Sequence, residues 1–153
     1  MKILMVCLGN ICRSPLAHGI LEHKAKLNSL DISVDSAGTG TWHIGNKPDE
    51  RSIEIAKKNG ISIQDQRARQ VSFQDLKEFD LIFAMDTTNY ADIKSLDLSE
   101  KYHHKIKLIL NEIEGAKDKN VPDPYFGGRE GFETVFKLLD YACDELINKI
   151  KIG

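Results

Sequence analysis

Near its start the chain carries Cys7, then five residues, then Arg13, Ser14 and Pro15, within MKILMVCLGNICRSP. A thiolate is a nucleophile, and a guanidinium can grip a phosphate-like oxyanion through two parallel hydrogen bonds. A short polar loop running into a helix adds backbone N–H groups and a dipole that favour an anion. A nucleophile inside an oxyanion cradle is equipped for phosphoryl transfer, not merely for phosphate binding. The elements that would hold it are legible on both sides. Ile3 to Val6 is an apolar run that reads as a buried strand. Ser14 suits a helix N-cap and Pro15 the first helical position. Leu16, Ala17, Ile20, Leu21 and Leu27 then share one helical face. A plain core thiol ending a strand is the simpler account of Cys7 alone; the ordered Arg-Ser-Pro after it favours chemistry.

Taking a thiol from an ordinary pKa of about 8.5 down to about 5 needs ~5 kcal/mol of preference for the thiolate. A helix terminus supplies roughly 0.3–2 kcal/mol, so loop N–H groups, the Ser14 hydroxyl and the Arg13 charge must act together. Transfer to a thiolate also needs a proton for the leaving oxygen. Asp123 stands out because Pro122 and Pro124 stiffen its backbone and Tyr125, Phe126, Gly127 and Gly128 follow. Aromatic neighbours desolvate a carboxyl and keep its proton available. An ordinary Asp-Pro turn is the simpler reading of that segment on its own residues.

A chain of 153 residues, 41% hydrophobic, fits a single domain, 1–153, with a sizeable core. A net charge of −2 leaves no electrostatic footprint for nucleic acid or an anionic membrane. Three cysteines without repeating spacing argue for a reducing, cytoplasmic setting. The first apolar run breaks at Gly9-Asn10, too early for a signal peptide, and no run is long enough to span a membrane. No cofactor is required and no Cys/His cluster has metal-ligand spacing; His103-His104 reads as a solvated pair.

Along the chain, Asp31 to Ser36 alternates as a half-exposed strand, and a glycine-rich loop from Ala37 to Asn46 carries the only tryptophan, Trp42. That loop is longer than a connection needs, which makes Trp42 a candidate site wall, with a plug over the core edge as the alternative. Pro48 to Asn59 reads as a helix with Glu54 and Lys58 spaced to pair, ended by Gly60. Ser72 to Asp75 can cap a short helix through Phe79. Leu81 to Met85 is a second continuous apolar strand, Thr87 to Leu96 a helix, and Lys105 to Leu110 an alternating strand. Gly115 to Gly131 reads as loop. A long closing helix over 132–150 puts Cys143 on its core stripe, a structural position. Strands alternating with helices predict a doubly wound parallel α/β sheet, with the two apolar strands central. Ligands bind such sheets at the carboxyl ends of the strands, where Cys7 falls.

The string V-C-L-G-N-I-C-R-S-P resembles the signature of the low molecular weight protein tyrosine phosphatases, and the resemblance runs the length of the chain. It implies a single-domain three-layer fold with a parallel sheet of order 2-1-3-4. It implies Cys7 as nucleophile, Arg13 as phosphoryl ligand and Ser14 as hydrogen-bond partner of the thiolate. Leu8, Gly9, Asn10, Ile11 and Cys12 complete the phosphate loop, with Asn10 left-handed, Ser36 supporting Asn10, and Cys12 the family's second thiol. D-P-Y-F resembles the family's Asp-Pro-Tyr-Tyr loop, making Asp123 the general acid, Tyr125 a cleft wall, and Phe126 a departure that removes a hydroxyl. Trp42 matches an aromatic residue that borders the cleft. His18 stands where many members carry Glu, and Gln66 where many carry His; both positions support the loop's underside, so the pH profile is expected to differ. The implied partners are phosphotyrosine proteins, with inorganic phosphate or other oxyanions as product or inhibitors.

Three rivals share parts of this pattern. Arsenate reductases on the same fold carry a further cysteine pair, whereas only Cys143 lies beyond the loop here. A non-catalytic phosphotyrosine-binding module would not need Cys7, Arg13 and Asp123 together. Bacterial protein-arginine phosphatases resemble this fold but carry Thr where this chain has Ile11, an apolar residue better suited to an aromatic ring than to a guanidinium.

Overall fold

The computed structural model describes residues 1–153. Four parallel strands, β1 (Lys2–Cys7), β2 (Ser33–Gly38), β3 (Leu81–Ala84) and β4 (Ile106–Leu108), form one sheet in the order β2-β1-β3-β4. The helices are α1 (Arg13–Leu27), α2 (Glu50–Lys58), α3 (Phe73–Glu78), α4 (Thr87–Lys94) and α5 (Arg129–Ile152). The expected fold class and strand order are those observed. β1 and β3 are central because their side chains are apolar on both faces. The period-2 alternation sends Ile3, Met5 and Cys7 into a 28-residue core beneath α1 and α5. Leu4 and Val6 enter an 11-residue core with Leu76 of α3 and Ile93 of α4. Cys7 thus emerges at the carboxyl end of a central strand, on the α1 side.

Several expectations are corrected. α1 begins at Arg13 with Cys12 as N-cap, so Ser14 is inside the first turn and not a cap. Its hydroxyl is thereby released from backbone capping and turns to the Cys7 sulfur. β2 starts at Ser33 and runs on to Gly38, because Ala37 and Gly38 pair with Val6 and Cys7. A side chain at Gly38 would strike the Leu8 carbonyl at 2.7 Å, so only glycine lets the strand end approach the loop. β4 is shorter than expected and passes into a 3₁₀ turn, Ile109–Glu112. α5 begins at Arg129, three residues before its apolar stripe, inside the segment read as loop. Glu54 pairs with Arg129 and not with Lys58. His103 is not a solvated residue: its Nε2 donates to the Asp97 carbonyl at 2.8 Å and holds the turn after α4, while His104 is exposed.

Candidate active site

The loop from Leu8 to Cys12 curls around the Cys7 sulfur between β1 and α1. Asn10 has φ of +57°, a left-handed conformation that asparagine tolerates better than most residues. Its backbone N–H donates to Cys7 Sγ at 3.3 Å. The Ser14 hydroxyl lies 3.0 Å from the same sulfur and receives a hydrogen bond from Asn10 Nδ2 at 2.7 Å. With the Ser14 oxygen accepting from Asn10, its proton has two acceptors in reach, the sulfur at 3.0 Å and the more distant Ala37 carbonyl at 3.4 Å. The backbone N–H groups of Leu8, Gly9, Ile11, Cys12 and Arg13 meet no protein acceptor. Ile11, Cys12 and Arg13 are nonetheless buried, and buried unpaired donors are costly unless an acceptor arrives. The loop is therefore built for an oxyanion.

Arg13 is 3% exposed. Its Nη1 donates to Asp86 Oδ2 at 2.7 Å and to the Val121 carbonyl at 3.0 Å, and Nη2 lies 3.8 Å from Asp123 Oδ2. Asp123 is set on the loop after Val121, whose own N–H donates to the Met85 carbonyl, tying that loop to the end of β3. The Asp123 side chain is 42% exposed and accepts from the Tyr125 N–H at 3.1 Å, so it is less enclosed by the aromatic rings than the sequence suggested. Tyr125 and Phe126 meet edge to face with centroids 4.9 Å apart. One cleft is lined by Cys7, Leu8, Gly9, Ile11, Cys12 and Arg13 at its base, and by Trp42, His43, Asp123, Tyr125 and Phe126 around it. Trp42 is 70% exposed and stands as a wall, not as a plug over the core.

Ser36 is the residue out of its expected place. Its hydroxyl faces His18 Nδ1 at 3.1 Å, while Asn10 Oδ1 accepts from the Arg69 N–H at 3.1 Å. Arg69 in turn is forked onto Asp75 and reaches Asp35. The support of Asn10 thus comes from the segment before α3 and not from Ser36. Burial pushes the His18 imidazole below its ordinary value of 6.5, against the pull of Glu22 and Asp35. Gln66 donates to the Pro15 carbonyl in the first turn of α1 at 3.2 Å, and His18 meets Ser36 of β2. Burial, with the nearby Asp49 and Cys7, pushes the Cys12 thiol up to about 12, and burial pushes Cys143 up to about 12 as well. Both are protonated at neutral pH.

Asp86, His43, Asp49 and Arg51 were not anticipated. Asp86 carried a readable signal, being the first polar residue after a central apolar strand, at the edge where ligands bind. His43 packs so closely on the loop that a side chain on Gly9 would come within 3.1 Å of its ring.

The model for low molecular weight phosphotyrosine protein phosphatases matches residues 2–152. The chain belongs to that family. It is 44% identical over 152 residues to the low molecular weight protein-tyrosine-phosphatase YfkJ of Bacillus subtilis, covering 98% of this chain and 96% of the relative. The protein tyrosine phosphatase of Entamoeba histolytica, solved with Hepes in its active site, superposes with a TM-score of 0.94 at 40% identity, over 100% of this chain and 98% of that one. A Drosophila arginine phosphatase superposes with a TM-score of 0.93 at 35% identity, over 99% and 98% of the two chains. Membership makes this chain an enzyme of the low molecular weight protein-tyrosine-phosphatase family. No helix is long and apolar enough to cross a membrane.

Proposed function

We propose that the chain acts as one catalytic domain, 1–153, that hydrolyses phosphotyrosine through a phosphocysteine intermediate on Cys7. The Cys7 thiolate attacks phosphorus while Arg13 and the free loop N–H groups hold the phosphoryl oxygens. The P–O bond to the aryl group breaks, and the leaving oxygen takes its proton from Asp123. A water then attacks the phosphocysteine, Asp123 accepts the water proton, and the S–P bond breaks to return the thiolate and release phosphate. Ser14 and Asn10 stabilise the sulfur anion in both half-reactions. The observation that carries the reading is the convergence of Ser14 Oγ and Asn10 N–H on Cys7 Sγ, at 3.0 and 3.3 Å, inside a ring of unpaired donors. A sulfonate buffer in the active site of the Entamoeba enzyme fits the same oxyanion chemistry. The three free cysteines suit a reducing cytoplasm.

The likeness to an arginine phosphatase raises phosphoarginine as the competing substrate. Ile11 lines the cleft and is 9% exposed, so it offers apolar surface where a guanidinium would need acceptors. Each unpaired polar group costs about 1–3 kcal/mol, roughly tenfold or more against phosphoarginine. Trp42 and Tyr125 add aromatic walls for a tyrosyl ring. Measuring kcat/KM on phosphotyrosine and phosphoarginine peptides tests this. The parent should prefer phosphotyrosine, and Ile11→Thr should narrow the ratio. A parent preferring phosphoarginine would overturn the substrate, and an unmoved ratio would remove Ile11 as the selector.

A further inference from the structure

Arg51, in the first turn of α2, makes more side-chain hydrogen bonds than its own helix can use. Nε and Nη2 fork onto the two oxygens of Asp49, each at 3.0 Å. Asp49 is also the N-cap of α2, accepting from the Arg51 N–H at 2.9 Å. The remaining bonds leave the element entirely. Nη2 donates to the Tyr125 carbonyl at 2.9 Å and Nη1 to the Gly127 carbonyl at 3.0 Å, 74 and 76 residues further along the chain. Neither carbonyl accepts from any other group. The guanidinium lies 4.5 Å from the centroid of Phe132, a ring that is 1% exposed and so fixes its plane.

The other end of this arrangement touches the phosphate loop. The Asp49 N–H donates to the Ile11 carbonyl at 2.8 Å, and the neighbouring Ser52 hydroxyl reaches the Cys12 carbonyl at 3.4 Å. Burial works against the Asp49 carboxylate, but the Arg51 hydrogen bonds and charge outweigh it and hold the group below the usual carboxylate range. The pair is therefore charged and forked at neutral pH. Beyond Val121 the loop bearing Asp123 is held by the buried Pro124, whose carbonyl accepts from the Gly127 N–H at 3.0 Å, and by Arg51, the side chain that ties its Tyr125 and Gly127 carbonyls to α2. Asp123 approaches Arg13 only at 3.8 Å, and Phe126 is 95% exposed.

We propose that Arg51 is a positioning residue that holds Asp123 over the Cys7 thiol, by tying the backbone of Tyr125 and Gly127 to the phosphate loop through Asp49. The inference rests on the reading of Asp123 as the general acid. Arg51 touches no reacting atom; it acts by fixing where the proton donor stands. A carboxyl displaced by even an ångström loses much of its value as an acid.

Leaving-group dependence separates this from a purely structural role. 4-Nitrophenolate departs with little help, whereas phenolate needs the proton. In Arg51→Ala and Arg51→Lys, kcat/KM for phenyl phosphate should fall about tenfold more than for 4-nitrophenyl phosphate, a fraction of the ~10²–10⁴ that general acid catalysis can supply. Lysine keeps the charge and the fold but cannot fork onto two carbonyls. In an Asp123→Asn background the same Arg51 substitutions should shift the ratio no further. If Arg51→Lys lowers both substrates equally while Asp123→Asn is selective for phenyl phosphate, the positioning role is overturned and the acid assignment stands. If Asp123→Asn itself is not selective, the acid assignment fails first.

Discussion

Arg13 and Asp86 are 73 residues apart in the chain, yet Arg13 Nη1 donates to Asp86 Oδ2 at 2.7 Å. The contact closes the topology at the sheet edge: one partner follows β1, the other follows β3, and the parallel pairing of those strands brings their carboxyl ends together. Asp86 also caps α4, accepting from the Asn89 N–H at 2.7 Å. One carboxylate thus anchors a helix and aims a buried guanidinium.

Asp86→Asn separates those two roles, since asparagine is as good an N-cap as aspartate. Loss of one charge-assisted hydrogen bond costs about 1.5–3 kcal/mol, so kcat/KM should fall roughly 10- to 150-fold. Thermal stability should change little in Asp86→Asn and more in Asp86→Ala, which also loses the cap. Unchanged kcat/KM in Asp86→Asn would mean that Arg13 needs no such partner.

His18 gives a pH signature to stability. Its folded pKa lies below the ordinary 6.5, so the unfolded chain binds the proton more readily. Unfolding then takes up protons, and stability, full above about pH 7, falls as pH drops through the range of a free imidazole near 6.5. Urea midpoints should decline between pH 7 and pH 5 in the parent and decline less in His18→Gln. Equal slopes would show that His18 does not titrate on unfolding.

Cys12 is the second thiol of the loop, buried and protonated at neutral pH. If Cys7 is oxidised to a sulfenic acid, the Cys12 thiol can displace its hydroxyl, forming a disulfide and releasing water. Peroxide-treated parent should recover activity with dithiothreitol far better than Cys12→Ser. Equal recovery would leave Cys12 as packing behind the loop.

The parallel sheet and its order were legible because β1 and β3 are short, wholly apolar and bounded by polar residues. The loop chemistry was legible because Cys7 to Ser14 are contiguous. What stayed hidden depends on distance in the chain. Asp86, Arg51 and Arg69 act on partners 59 to 76 residues away, and nothing local marks them among many charged residues. Ser14 fits an N-cap by type and place but is not one; its hydroxyl meets the thiol, as the family resemblance implies. Ser36 was assigned by resemblance, and the histidine at position 18 takes its hydroxyl instead.

The central claim is that Cys7 carries the phosphoryl group between the two half-reactions. Asp123→Asn should slow hydrolysis of that intermediate enough for it to accumulate after rapid mixing with 4-nitrophenyl phosphate. Acid quenching and peptide mass spectrometry should then find one added phosphoryl group on the peptide containing Cys7, and none in a Cys7→Ser, Asp123→Asn double variant. Phosphorylation at another residue, or continued turnover by Cys7→Ser, would contradict the account.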